Sequence, residues 1–166
     1  GMAAINVDEG STLKVTSASG DGSTNGKLVA KGGGSKYGGA GIGSNYYYPM
    51  GDLIIAGGTI EATGAHCAAG IGGGRDSEVG NITITGGTVN QLIVNTGSAI
   101  ITGGVVNDVI TKDGTVAITG GTLGFDPSNA VDPDRYNVVD NGDGTYTVVC
   151  NHSGGQATCQ NQAVCD

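Results

Sequence analysis

The sequence predicts an all-β fold, a single-stranded parallel β-solenoid, from three observations. Glycine accounts for 34 of the 166 residues, whereas the chain has 3 prolines, 1 phenylalanine and no tryptophan. A ten-residue pattern centred on a glycine pair occurs four times. The aliphatic residues of each copy lie two positions apart, which is the period of a β-strand. Because glycine adopts positive φ at little steric cost, short strands joined by tight turns fit this composition, whereas collagen would need glycine at every third position.

The repeated pattern predicts the architecture. Each copy is an aliphatic strand, a Gly-Gly pair and the start of a second strand, and the copies begin at Gly51, Gly80, Gly97 and Gly114. Their starts are separated by 29, 17 and 17 residues. Such periods are typical of solenoids, in which each unit buries its apolar face only against its neighbours. Weaker copies at 13–15 and 28–30 bring the expected number of short coils to about six.

The predicted core is the set of aliphatic residues that face inward in the four copies: Leu53, Ile55, Ile60, Ile82, Ile84, Val89, Ala99, Ile101, Val106, Val116, Ile118 and Leu123. A third strand follows in the 17-residue units, where 92–94 aligns with 109–111. Three strands and three bends predict a triangular coil whose equivalent strands stack in parallel about 4.8 Å apart. A right-handed β-helix is favoured, because crossovers between parallel strands are strongly biased to that hand.

The 29-residue unit contains a glycine-rich insertion, Ala69–Gly74, which is echoed upstream by Ala40–Ser44. A phosphate-binding loop would need a following helix, often with a lysine, and neither segment has one. Both segments are therefore predicted to be close-packed bends in the wall. Cys67, beside the insertion, is predicted to be a small buried residue.

Residues 69–74 followed by Gly80–Val89 resemble the glycine-rich β-helix repeats of cell-surface proteins from Gram-positive and gut bacteria. The resemblance covers roughly residues 38–125, and residues 125–148 resemble the element that commonly follows such repeats. It implies an extracellular or cell-surface location and a structural or adhesive role. The family offers no catalytic residues to place on this chain.

The C-terminal segment predicts a β-hairpin, with strands at 136–139 and 145–149 around Asp140–Gly144. Asn-Gly and Asp-Gly favour the tight turn, and the EF-hand calcium spacing is absent. The hairpin is expected to cap the open end of the solenoid. The predicted organisation is therefore a β-helix over 1–125, a capping hairpin over 126–149 and a Cys/His-containing tail over 150–166.

The tail leaves several interpretations open. Cys150, His152, Cys159 and Cys165 are a candidate tetrahedral zinc site. A disulfide among the three tail cysteines is the second interpretation, given a secreted context, and free thiols are the third. No other cofactor is expected.

Charge and motif placement narrow the functional classes. The net charge of −8 disfavours nucleic acid, and no apolar run approaches the roughly 18–20 residues that span a bilayer, so no membrane insertion is expected. The carboxylates that an enzyme would need occupy different positions in the repeat: Glu61, Asp76, Glu78, Asp108 and Asp113. The chain is therefore predicted not to be an enzyme, and a polysaccharide lyase or hydrolase is the weakest alternative.

A binding role is the main alternative to a structural one. Tyr46, Tyr47 and Tyr48 form the one aromatic cluster, and their rings are the candidate platform for carbohydrate. Thr85, Thr102 and Thr119 align in three successive units, and Thr59, Thr88 and Thr122 align nearby with Val105 intervening. Packing of β-branched side chains explains both rows without a ligand. The expected partners are host or environmental glycans or surface proteins.

Overall fold

The computed structural model describes residues 1–20 and 22–151 as an all-β chain. In chain order the strands are β1 (Ile5–Asn6), β2 (Thr12–Val15), β3 (Lys27–Lys31), β4 (Ile42–Gly43), β5 (Asp52–Thr63), β6 (Ile71–Gly72), β7 (Asn81–Val89), β8 (Leu92–Val94), β9 (Ser98–Ile101), β10 (Val105–Val106), β11 (Val109–Thr111), β12 (Thr115–Ile118), β13 (Gly121–Leu123), β14 (Tyr136–Asp140) and β15 (Tyr146–Cys150). The helical content of these residues is one 3₁₀ turn, Ser128–Ala130. None of their helices has the length and apolarity to cross a membrane.

The strands form three sheets, with ten, three and two members in the described chain. The large sheet is mixed and contains two parallel ladders. The first ladder is β2, the start of β5, the start of β7, β9 and β12. The second ladder is β3, the end of β5, the end of β7, β10 and β13. The two small sheets, β1-β4-β6 and β8-β11, are also parallel, and β6 lies next to β8; we call them together the third ladder.

The register predicted for the first ladder is confirmed. Ile55 pairs with Ile84, Ile84 with Ile101, and Ile101 with Ile118. All four side chains are at most 2% exposed. Since full burial of such a side chain contributes about 1.5–3 kcal/mol relative to exposure, this row is a major source of stability. In the third ladder, the expected pairing of Leu92 with Val109 is also present.

The predicted core residues belong to one continuous cluster. Eleven of the twelve are buried, and Val116, in the last unit, is partly buried against the cluster. Residues of the third ladder join it, among them Ile42 and Ile71, which pair across 29 residues as expected. A single cluster fed by all three ladders explains why the alternation of inward residues appears in every copy.

The glycine pairs lie where the chain bends from the first ladder to the second. The second glycine of each pair has positive φ: 83° at Gly58, 77° at Gly87, 80° at Gly104 and 102° at Gly121. At Gly87 the neighbouring repeat is also very close, because a Cβ there would lie 2.6 Å from the carbonyl oxygen of Gly58. Glycine is needed at this bend both for its conformation and for its lack of a side chain.

The expected number of about six coils is wrong for the described chain. Residues 13–15 and 28–30 were predicted to be separate units, but β2 and β3 pair with the two halves of the single strand β5. They therefore belong to one repeat, and the ladders contain five. The extended connection between β2 and β3 replaces the short Gly-Gly bend of the later units, which is why one long unit read as two.

The predicted hairpin is present as β14 and β15, and β15 pairs antiparallel with β13. Its turn is fastened by its own side chains. The carboxylate of Asp140 accepts a bond from the Gly142 backbone N–H at 2.8 Å, and that of Asp143 accepts one from Thr145 N–H at 3.0 Å. The hairpin thus covers the edge of the last strand of the second ladder.

Candidate functional site

A cleft lies where the chain passes from the third ladder to the first. The connections at this corner are long in two repeats, 44–51 and 73–80, and short in the next two, 95–97 and 112–114. The long connection 73–80 lies beside the short ones, and a cavity of about 480 Å³ lies between them. Its lining residues are Cys67, Arg75, Asp76, Ser77, Glu78, Asn95, Thr96, Lys112 and Asp113.

Buried hydroxyls hold the two long connections together. Ser44 is fully buried and its Oγ accepts a bond from Gly74 N–H at 3.1 Å. Ser77 is 6% exposed and its Oγ donates to the carbonyl oxygen of Asn45 at 2.9 Å. A further bond of 3.1 Å, from Val79 N–H to Thr96 Oγ1, ties the second long connection to the short one below it. Satisfied bonds of this kind fix the cleft walls in one arrangement.

Strained backbone is concentrated at the cleft. The described non-glycine residues with positive φ are Tyr47 (68°), His66 (26°), Cys67 (64°) and Asp76 (57°). Cys67 and Asp76 line the cleft, and Tyr47 lines an adjoining cavity of about 400 Å³ with Asp76 and Glu78. Each such conformation costs on the order of 1–3 kcal/mol, and residues of this kind cluster at ligand sites.

Acidic groups outnumber basic ones in the cleft. Asp76, Glu78 and Asp113 face Arg75 and Lys112. Arg75 Nε lies 3.3 Å from Asp76 Oδ2, but both side chains are more than a third exposed. An ion pair in such a position contributes about 1 kcal/mol or less. Arg75 Nη1 also donates to the carbonyl oxygen of Lys36 at 3.1 Å, which ties this side chain to the wall.

The three candidate tyrosines differ in accessibility. The ring of Tyr46 lies between those of Tyr37 and Tyr47, with centroid distances of 4.5 and 5.6 Å, and it is partly buried. Tyr47 and Tyr48 are 71% and 67% exposed. Tyr46 therefore supports its neighbours, and the accessible faces are those of Tyr47 and Tyr48. Carbohydrate binding by this cluster stays a prediction.

The burial predicted for Cys67 is wrong. The residue is exposed and its thiol is free. It lies in a turn between β5 and β6 with φ 64°, not in a wall strand, so its side chain points away from the core. His66, its neighbour, is in the same turn.

The predicted zinc ligands lie mostly beyond the described part of the chain. Cys150 ends β15, whereas His152, Cys159 and Cys165 lie outside the described residues. Within residues 1–20 and 22–151, no three His, Cys, Asp or Glu side chains are grouped so as to hold a metal ion. The zinc and disulfide interpretations of the tail both stay predictions.

Two carboxyls in the C-terminal segment have shifted pKa values. A side-chain hydrogen bond from Thr145 lowers the pKa of Asp143 below its ordinary value, and a backbone bond from the same residue adds to this. Ser128 lowers the pKa of Asp126 in the same two ways. In both cases the bonds stabilise the charged form, so these carboxylates serve the local turns.

Sequence reasoning missed that Asp76, Glu78 and Asp113 share one cleft. Asp113 occupies a different position in the repeat from the other two, so the sequence did not place it beside them. The available signal was that 73–80 and 112–114 both immediately precede first-ladder strands, at Asn81 and Thr115. Equivalent corners of stacked units meet at one edge even when their lengths differ.

Comparison with known proteins gives no relative. No family model, no curated protein and no solved structure matches this chain.

Proposed function

We propose that this chain is a non-catalytic structural and adhesive module of a bacterial cell-surface or secreted protein, built as a right-handed parallel β-helix. The observation that carries the proposal is the register of the three parallel ladders. In each repeat the chain contributes to the third, first and second ladder in that order. Equivalent residues pair from one repeat to the next throughout the first and second ladders, and in the third ladder within β1-β4-β6 and within β8-β11. A chain that visits three ladders cyclically winds as a coil.

A short rigid rod suits a structural role. One repeat cannot bury its aliphatic residues alone, so stability comes from stacking and couples neighbouring repeats. The antiparallel hairpin at β13 covers one strand edge that would otherwise pair with another chain. Such a rod holds surfaces at fixed separation without needing a deep pocket or a moving part.

Two carboxylates form hydrogen bonds between neighbouring repeats. Asp52 Oδ1 accepts a bond from Asn81 N–H at 2.9 Å, across 29 residues. Asp108 Oδ2 accepts one from Gln91 Nε2 at 2.9 Å, across 17 residues. Groups used in this way support the wall, which favours a structural role for them over acid–base chemistry.

Carbohydrate binding is the second candidate, and the cleft favours it. Tyr47 presents an exposed ring beside the carboxylates of Asp76 and Glu78. A sugar ring offers an apolar face to an aromatic side chain and hydroxyl donors to carboxylates. Such a site would supply the adhesive part of the proposed role.

A polysaccharide degradation assay tests the non-catalytic proposal. The purified chain is incubated with a panel of neutral and acidic polysaccharides, with and without added calcium and zinc. We expect no new reducing ends and no unsaturated products, while the polysaccharide that is bound is recovered intact. Product formation that tracks protein concentration, and is lost in Glu78→Gln or Asp113→Asn, would replace this proposal with a lyase or hydrolase.

A further inference from the structure

Three neighbouring cavities form one groove. The cleft of about 480 Å³ adjoins the cavity of about 400 Å³ beside Tyr47, and both adjoin a third of about 350 Å³. Glu78 lines all three, Asp76 lines the first two, and Pro49 lines the last two. The three cavities therefore lie side by side around Glu78, and we call this surface the corner groove.

The corner groove runs along the stacking direction of the repeats. Its lining comes from the same corner of five successive units: 9–11, 49–52, 78–80, 95–96 and 112–113. The first-ladder strands that follow these segments are paired in the same order, from β2 to β12. Five strands spaced about 4.8 Å apart give a groove roughly 19 Å long. An extended ligand therefore fits it better than a compact one.

The chemistry of the corner groove selects against anions. Its carboxylates are Glu9, Asp52, Asp76, Glu78 and Asp113, and its cations are Arg75 and Lys112. The whole chain also carries a net charge of −8. Since five carboxylates outnumber two cations, a polyanion would meet net repulsion, whereas a hydroxyl-rich neutral chain would find carboxylate acceptors in four of the five units.

We infer that the corner groove binds a linear glycan without acidic groups, lying parallel to the stacking direction, with one sugar ring against Tyr47. This inference rests on the adhesive role proposed above and names its ligand class and site. Tyr47 is held by its neighbour Tyr46 on one side and by a 3.2 Å bond from its N–H to the carbonyl oxygen of Arg75. The backbone bond fixes the chain at Tyr47, and the Tyr46 ring limits one side of the exposed ring, so less conformational freedom remains to be lost on binding.

The test measures binding of neutral hexasaccharides (cello-, xylo-, manno- and laminari-hexaose), of chitosan and of polygalacturonate to the full chain by isothermal titration calorimetry and affinity electrophoresis. We expect at least one neutral hexasaccharide to bind and polygalacturonate not to bind. Trisaccharides should bind more weakly than the hexasaccharide, because they contact fewer repeats. Binding of polygalacturonate above all others, of chitosan alone in a salt-sensitive way, or of none of these would overturn the inference.

Two exposed tyrosines provide a matched pair of variants. Tyr47 lines the corner groove, whereas Tyr48 is equally exposed but lines none of its three cavities. Tyr47→Ala should weaken hexasaccharide binding about tenfold or more, while Tyr48→Ala should leave it nearly unchanged. Equal losses in Tyr47→Ala and Tyr48→Ala would contradict the assigned site.

Charge variants test the selection against anions. Glu78→Gln keeps a hydrogen-bond acceptor and removes a charge, so polygalacturonate should begin to bind at low salt. Unchanged exclusion of polygalacturonate in Glu78→Gln combined with Asp113→Asn would contradict the electrostatic argument. If no glycan binds while the chain stays folded and without catalytic activity, the groove inference fails and the structural role stands; catalytic turnover would instead sink the proposed function.

Discussion

The N-terminal and C-terminal repeats share an interior and differ at their corners. Along the first ladder, Leu53 follows its partner Leu13 by 40 residues and precedes Ile82 by 29, whereas Ile82, Ala99 and Val116 follow one another at intervals of 17. The pairing stays in register in every unit of this ladder, and the register shifts between β5 and β7 begin only after Ile55, at the bend. The interior therefore tolerates large changes in loop length, which fits the slow growth of loop-closure entropy with length.

The difference also explains where the cleft lies. Uniform 17-residue units would give a smooth corner, since 95–97 and 112–114 are both three residues long. The long connections of the earlier units add the walls, the exposed Tyr47 and the strained backbone. The repeat thus specifies the scaffold, and departures from the repeat specify the candidate site.

The largest effect is expected from breaking the shared interior. Ile84 is fully buried and pairs with an isoleucine on each side. Ile84→Ala should lower the free energy of unfolding by about 2–5 kcal/mol, because it leaves a cavity where the long and short repeats meet. Urea unfolding followed by circular dichroism measures this loss.

The neighbouring outward residue is the control. Thr83 lies on the same strand but faces away from the core and is partly exposed. Thr83→Ala should change the free energy of unfolding by less than about 1 kcal/mol. Similar losses in the two variants would mean that the interior and exterior faces of β7 are assigned incorrectly.

Two glycines with the same φ allow a packed corner to be compared with an open turn. Gly87 and Gly142 both have φ 77°, but a Cβ at Gly87 meets backbone at 2.6 Å, while one at Gly142 meets nothing within 4 Å. Gly142→Ala should lower the free energy of unfolding by about 1–2 kcal/mol, because alanine is strained in the left-handed conformation. Gly87→Ala should cost a further 1–3 kcal/mol or so for overpacking, measured by thermal or urea unfolding. Equal costs would indicate that neighbouring corners are not in contact.

A smaller, local effect tests the turn between β5 and β6. Cys67 is exposed in a turn of a 29-residue unit. Iodoacetamide should modify it in the folded protein at a rate comparable to that in denaturant, as peptide mapping by mass spectrometry would report. If Cys67 reacts only after the chain unfolds, the residue is buried, as the sequence predicted, and its exposed position is wrong.

The smallest effect concerns the hairpin turn. Because hydrogen bonds lower the pKa of Asp143 in the folded state, their stabilising contribution is present above the ordinary aspartate pKa and is lost as pH falls through the folded-state value. NMR titration should give Asp143 a pKa below the ordinary aspartate value. Thr145→Val, which removes the hydroxyl donor, should raise it. A pKa unaffected by that change would exclude the hydroxyl bond.

Periodic features of this chain were predictable and aperiodic ones were not. The pairing of Ile84 with Ile101 follows from a 17-residue spacing and strand alternation, both of which are visible in the sequence. The assignment of Leu13 and Leu28 to one repeat was missed, because the pattern does not state how long a connection between two strands is. That β2 and β3 belong to one repeat became visible only in the structure, where they pair with the two halves of the single strand β5.

The candidate site was harder to predict for the same reason. Tyr47 was identified because aromatic residues are scarce in this sequence. Its neighbours Asp76 and Glu78 were dismissed, since a repeat alignment compares equivalent positions and these residues lie in a connection of unequal length. Contacts between unequal loops depend on how each one folds over the corner, which composition and spacing do not encode.

The in-register stacking of the repeats is tested most directly by paired cysteine substitutions on the outward face of the first ladder. Thr83 pairs with Ile100, and Ile100 pairs with Ala117. A disulfide needs Cα atoms less than about 7 Å apart, whereas neighbouring strands lie about 4.8 Å apart and next-nearest strands about 9.6 Å apart. Under mild oxidation, Thr83→Cys with Ile100→Cys and Ile100→Cys with Ala117→Cys should each form the bond, identified by peptide mapping. A bond between Thr83→Cys and Ala117→Cys, with none in the adjacent pairs, would contradict the stacking.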